Sequence, residues 1–131
     1  MSEENLEIVR RVFPAFSRGG DATAWLQDLD SDVVLHVEQA GQGVYRGHEG
    51  AIKSLVDWTE DIDDFKVVPE EFLDNGDYVV VRTRQTGSGK SSGAPMEGLF
   101  WFVCQMREGK VVRIHVLNTE QAAFEAAGLS E

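Results

Sequence analysis

The sequence predicts an α+β domain in which helices cover one face of a curved, largely antiparallel sheet. Three observations lead there. Apolar residues in the first half recur mostly at three- and four-residue steps, from Phe65 onward the period changes to two, and turn residues punctuate that second half between strand-length runs. At 131 residues, 42% hydrophobic and 27% charged, the chain has the size of one ordinary domain with a real core. No repeat, linker or change of composition divides it, so residues 1–131 are expected to form a single domain.

Leu6, Val9, Phe13 and Phe16 mark an amphipathic first helix that stops at Gly19 and Gly20 and should bend at Pro14. Asp21 is the expected N-cap of a short second helix through Ala24, Trp25 and Leu26. DSDVVLHVE then reads as the first strand, closed by Gly41 and Gly43. After YRG, the segment HEGAIKSLVDWTEDI places Ile52, Leu55, Val56 and Thr59 on one side of a third helix, with Trp58 near its end. FKVVPEEFL, DNGD and YVVVRTRQT propose a hairpin, in which Pro69, lacking a donor, suggests an edge or a bulge. GSGKSSGAP reads as a flexible polar loop. A strand from Met96 to about Arg107 follows, then a REGK turn and a last strand, VVRIHVLN. Thr119 is the expected N-cap of a closing helix, EQAAFEAA, ended by Gly128. The strands after the third helix make a four-stranded antiparallel meander.

Twelve Lys and Arg against 23 Asp and Glu give a formal charge of -11, which repels a phosphate backbone and an anionic lipid surface alike. Neither nucleic acid nor membrane is an expected partner. MSEENLEIVRR has no basic leader or apolar signal core, and no run approaches a spanning length, so the cytoplasm is the expected location. With one cysteine, Cys104, there is no intrachain disulfide and no cysteine-rich zinc site; the thiol is expected to be a small buried apolar group. GSGKSS is not a phosphate loop, because Arg84 stands where that spacing needs glycine and the loop joins strand to strand. No G-x-S-x-G nucleophile elbow is present.

The stretch LHVEQAGQGVYRGHEG sets His36 and Glu38 two apart, on one face of a strand. If that face looks inward, both polar groups need a reason to be there. Desolvation would disfavour the Glu38 carboxylate and make it a usable general base. The alternative is a strand-end pair satisfied by turn amides. Two ligand-type residues are too few for a metal, and His48 and Glu49 belong to a helix start, so no metal centre is expected. Trp25, Tyr45, Trp58, Phe100, Trp101 and Phe102 are either an apolar pocket wall or plain core. Strand parity is read with Leu99, Trp101 and Val103 inward and Phe100, Phe102 and Met106 outward. An outer face so apolar needs a cover, hence a dimer. Ile114 and Val116 inward put His115 outward, and Arg82 and Arg84 read as solvated or interface charges on that same outer face.

The element order, with VYRGHEGAI before the third helix, GDYVVVRTRQTG in mid-chain and REGKVVRIHVLNTEQAAFEAAGL at the end, resembles the nuclear transport factor 2-like superfamily. Within it the chain is most similar to SnoaL-like and ketosteroid-isomerase-like bacterial proteins. The resemblance implies a cone-shaped curved antiparallel sheet, mixed at its edge, wrapped around three N-terminal helices, with a short C-terminal helix. It also implies a pocket in the open end of the cone, a homodimer through the outer sheet face, and no cofactor. The ligand implied is a small apolar organic molecule, polyketide-, terpenoid- or steroid-like. Aligned on YRG, Glu38 falls where ketosteroid isomerases carry their aspartate base, while the positions of their two oxyanion donors fall at Phe13 and Trp101. The aspartates of the fold's epoxide hydrolases and cyclases find no match either: Val116 holds one such position, and no aspartate follows His115. Two readings therefore stay open. One is an isomerase, cyclase or lyase with Glu38 as general base and His36 and Tyr45 as hydrogen-bond partners. The other is a non-catalytic ligand-binding or dimerisation domain. In both, the expected pocket wall is Phe13, Phe16, Trp25, Tyr45, Trp58, Leu99, Trp101 and Ile114.

Overall fold

The computed structural model describes residues 2–12, 26–37 and 43–128. In chain order these form α1 (Ser2–Val12), β1 (Leu29–His36), β2 (Val44–Arg46), α2 (Gly47–Thr59), β3 (Ile62–Asn75), β4 (Tyr78–Gly89), β5 (Pro95–Arg107), β6 (Lys110–Leu117) and α3 (Glu120–Ala126). The six strands make one curved, open sheet in the order β2-β1-β6-β5-β4-β3. All pairings are antiparallel except β1 with β6, where Leu35 lies opposite Ile114 and His36 opposite His115. The expected meander is present as β3 to β6. The strand β2 was not anticipated; at three residues it is too short to carry a periodicity.

Turn chemistry sets the register of the meander. Gly76 takes φ +62° between β3 and β4, and Glu108 and Gly109 take φ +50° and +79° between β5 and β6, the paired positive values that a tight hairpin requires. Pro69 lies on the edge strand β3 beside a register shift between Pro69 and Glu71. That bulge reverses the parity of β3: Val67 opposite Gln85 and Phe72 opposite Val81 both join the same core. The polar loop is shorter than expected, since β4 runs to Gly89 and β5 begins at Pro95.

One sheet face carries the main core. Val33, Leu35 and Val37 of the β1 segment, Phe65 and Val67, Val79 and Val81, Phe102, Cys104 and Met106, and Ile114 and Val116 pack there with Ile8 and Val9 of α1 and Ala51 of α2. Helix α2 turns Ala51 and Ser54 fully inward and rests Leu55 and Trp58 on the core, while Val56 is 55% exposed. The expected stripe of Ile52, Leu55, Val56 and Thr59 is thus rotated toward Ala51 and Ser54. Ser54 tolerates burial because its hydroxyl donates to the Ala51 carbonyl at 2.7 Å.

The opposite face is different. Val80, Val103 and Leu117 form a second, smaller cluster with Ala123 and Ala127, against which Tyr78, Trp101 and Phe124 pack. Helix α3, capped as expected by the Thr119 hydroxyl accepting from the Ala122 N–H at 3.2 Å, therefore lies on the other side of the sheet from α1 and α2. The parity expected for β5 is reversed: Phe100, Phe102 and Met106 face α2 and the main core, and Leu99, Trp101 and Val103 face outward. The bend at Pro14 and the short helix from Asp21 through Trp25 lie outside the described residues. Among the described residues no helix is long and apolar enough to cross a membrane.

Candidate functional site

Alternation along β4 builds the site. Val79, Val81, Thr83 and Gln85 are buried in succession, with Arg82 and Arg84 between them on the outer face. Thr83 satisfies its hydroxyl by donating to the Phe100 carbonyl at 2.9 Å. Gln85 does not follow suit. It is only 5% exposed, and among the described residues neither its Oε1 nor its Nε2 has a hydrogen-bond partner. Across the sheet it is flanked by Val67 and by Gly98. A methyl group at Gly98 would meet the Phe100 ring at 3.3 Å.

Gln85 borders two spaces. The inner one, between α2 and the sheet, is lined by Leu35, Val37, Leu55, Phe102, Ile114 and Val116 among others, and has a volume of only about 20 Å³. The outer one is a cleft of about 400 Å³ at the end of α2, bounded by Asp57, Ile62, Thr86, Gly87, Met96, Glu97, Gly98 and Phe100. Trp58, Phe65 and Gln85 wall both. The Trp58 and Phe100 rings meet edge to face at 5.3 Å and form an aromatic corner of the cleft. The cleft has the volume of an ordinary small-molecule site.

The mouth is acidic. Asp57 accepts from the Tyr45 hydroxyl at 2.8 Å and from Lys53 Nζ at 3.2 Å; the Tyr45 hydrogen bond first, then Lys53, holds its carboxyl below the usual aspartate range. Such a carboxylate stays ionised and is a correspondingly poor proton acceptor. Glu97, across the mouth, is bound by Arg84 at 2.6 Å. Cys104 is no nucleophile, since burial pushes its thiol up to about 12. Among the described residues no three His, Cys, Asp or Glu side chains converge to hold a metal.

The structure divides the expected pocket wall. Trp58 lines both spaces and Ile114 the inner one. Tyr45 is half-buried against the core and reaches the mouth through Asp57. Leu99 and Trp101 are on the other sheet face, opposite Arg84 and Arg82. His36 is there too: it alternates with the core residues Leu35 and Val37, and its ring lies 4.3 Å from that of His115. It cannot reach the cleft from that side. Glu38, Phe13, Phe16 and Trp25 lie outside the described residues. Gln85 and Phe65 are wall residues that the sequence reading does not name as such, and Phe100, named in the aromatic set but read as outward, is a wall residue too. The signal for Gln85 was in VVVRTRQT, where placing the two arginines outward necessarily turns the glutamine in.

An open, curved six-stranded sheet with α1 and α2 on one face is the architecture of the nuclear transport factor 2-like proteins. The chain belongs to the SnoaL-like domain family, which it matches over residues 9–114. Solved structures share the fold throughout. A protein from Jannaschia sp. CCS1 described as a SnoaL-like polyketide cyclase is 22% identical, with 99% of this chain and 94% of that one covered at a TM-score of 0.77. TerC, co-crystallised with polyporic acid, is 23% identical, with 95% and 98% covered and a TM-score of 0.77. A protein of ketosteroid isomerase-like fold from Catenulispora acidiphila DSM 44928, in complex with trimethylamine, is 16% identical, with 94% and 93% covered and a TM-score of 0.76. No curated protein sequence matches the chain.

Proposed function

We propose that this SnoaL-like domain binds a small organic molecule with a flat apolar body in the cleft between α2 and the concave face of the sheet. The observation that carries the reading is the cleft of about 400 Å³ walled by Trp58, Phe65 and Gln85, which also border a small apolar void of about 20 Å³. The co-crystallised molecules named for TerC and the Catenulispora protein support the same use of this fold. The site of action is cytoplasmic.

A catalytic version of the reading has Glu38 as general base of an isomerase, cyclase or lyase step. Its support is the alignment on YRG, which sets Glu38 where ketosteroid isomerases carry their aspartate base. His36 is not part of it. One experiment tests both versions: a panel of planar apolar molecules is screened by tryptophan fluorescence and by melting temperature, and Glu38→Gln is then compared with the native protein. Saturable quenching is expected, with affinity in the variant kept within about tenfold, a change of ~1.4 kcal/mol. If Glu38 is a base, turnover of a compound that the native protein converts should fall by roughly two to four orders of magnitude. Unchanged turnover removes the base; a panel that alters neither signal removes the pocket.

The protein acts as a homodimer through the outer sheet face in this proposal. Phe100, Phe102 and Met106 no longer support it, since they face the core. Its support is instead Val68, Leu73 and Leu99, which are 50%, 41% and 37% exposed on that face. Sedimentation at micromolar concentration should give a dimer.

A further inference from the structure

We infer that Gln85 sets the specificity of this cleft and that the ligand presents a neutral hydrogen-bond donor and acceptor side by side, as a primary carboxamide or a lactam does. The inference rests on the binding reading above and names the chemical class of its ligand. Gln85 is an expensive residue to place in an apolar wall. Methionine or leucine would fill the same volume on β4 without burying a donor and an acceptor that find no partner among the described residues. Its neighbours do not supply the missing bonds: the Thr83 hydroxyl is engaged by the Phe100 carbonyl, and Val67 and Gly98 beside it carry no polar side-chain atom.

The geometry of the orphan amide defines what would satisfy it. Oε1 needs a donor and Nε2 an acceptor about one amide width apart, so a cis-amide edge closes two parallel hydrogen bonds at once. Either assignment of the glutamine oxygen and nitrogen is served equally by turning the ligand over. A carboxylate offers two acceptors and would set one against Oε1, with the Asp57 carboxylate at the mouth opposing it further. An ammonium offers donors only and leaves Nε2 unmet. The edge-to-face pair of Trp58 and Phe100, with Phe65 behind it, suits an aromatic body attached to that polar edge.

The test uses four naphthalenes substituted at the same ring position: the carboxamide, the methyl ketone, the carboxylate and the methyl compound. The ketone matches the carboxamide in size but lacks the donor. Binding to the full chain is measured by calorimetry at neutral pH, for the native protein and for Gln85→Leu. The carboxamide is expected to bind the native protein at least about tenfold more tightly than the ketone or the carboxylate. In Gln85→Leu that preference should shrink to within about twofold, while methylnaphthalene binds as well as before or better. Equal binding of carboxamide and ketone by the native protein overturns the inference without needing the variant, and so does a preference that survives in Gln85→Leu. If methylnaphthalene and the other three all fail to bind, the pocket reading itself falls and takes this inference with it; if methylnaphthalene binds and no preference exists, only the inference falls.

Discussion

The two faces of this sheet handle polar groups in opposite ways. On the outer face Arg82 and Arg84 bracket Glu70 at 3.3 and 2.7 Å, Arg84 also holds Glu97, and His36 stacks near His115. On the concave face the fully buried polar side chains of the sheet, Thr83 and Gln85, are neutral, and Gln85 is left unmatched within the described residues. Water explains the difference. Outside, charges keep much of their hydration and their pairing is nearly optional; inside, every unmet donor or acceptor counts at full desolvation cost. A lone unmet amide on the dry face is therefore more informative about ligand binding than a whole ladder of charges on the wet one.

The largest effect should come from neighbouring residues on opposite faces. Phe102→Ala removes a 5%-exposed ring from the main core and should cost about 3–5 kcal/mol in urea denaturation, whereas Leu99→Ala, on the outer face, should change stability by no more than about 0.5 kcal/mol when measured dilute enough to dissociate the proposed dimer. Comparable losses from the two would mean that the outer face is as dry as the inner one, as a tight dimer would make it.

This pair also marks where the sequence was legible. The meander, its turns, the Pro69 bulge and the capped last helix could all be read locally, because glycine, proline and threonine act through their own backbone. The facing of β5 could not be read from its centre: FWFVC is apolar at every position, so alternation vanishes where the strand is buried on both sides. Its ends held the answer. Glu97, Gln105 and Arg107 share the parity of Trp101, while Met96, Phe102, Cys104 and Met106 form the all-apolar set. The same reasoning puts His36 with Asp32 and Val34, away from Val33, Leu35 and Val37. The short β2 and the parallel pairing of β1 with β6 depend on contacts distant in sequence, which no local pattern encodes.

A smaller effect, opposite in sign, is expected from Gln85→Leu. With no ligand bound, the variant removes two unmet polar atoms from the dry face and should stabilise the fold by about 1–3 kcal/mol in urea denaturation. A destabilised variant would show that the amide already has a partner, and the contrast between the faces would narrow.

The smallest effect belongs to the wet face and is distinguished by its pH dependence. The Arg84 hydrogen bond, with the charges of Arg84 and Arg82 behind it, holds the Glu70 carboxyl below the ordinary glutamate value. A carboxyl whose pKa is lowered by folding stabilises the native state while it is ionised in both states, above the ordinary value of about 4.3. That contribution fades as the pH falls toward the lower, folded-state value, because the unfolded chain then takes up the proton first. Glu70→Gln should therefore melt slightly below the native protein at pH 7, and the gap should close on acidification to about pH 3. Added salt should narrow the gap at pH 7, since the pair is reached by solvent. The Gln85→Leu difference should hold steady over the same range, because no titrating group is exchanged. A Glu70→Gln gap that persists in acid would mean that the carboxylate acts by shape and packing, and the outer ladder would then belong with the dry face.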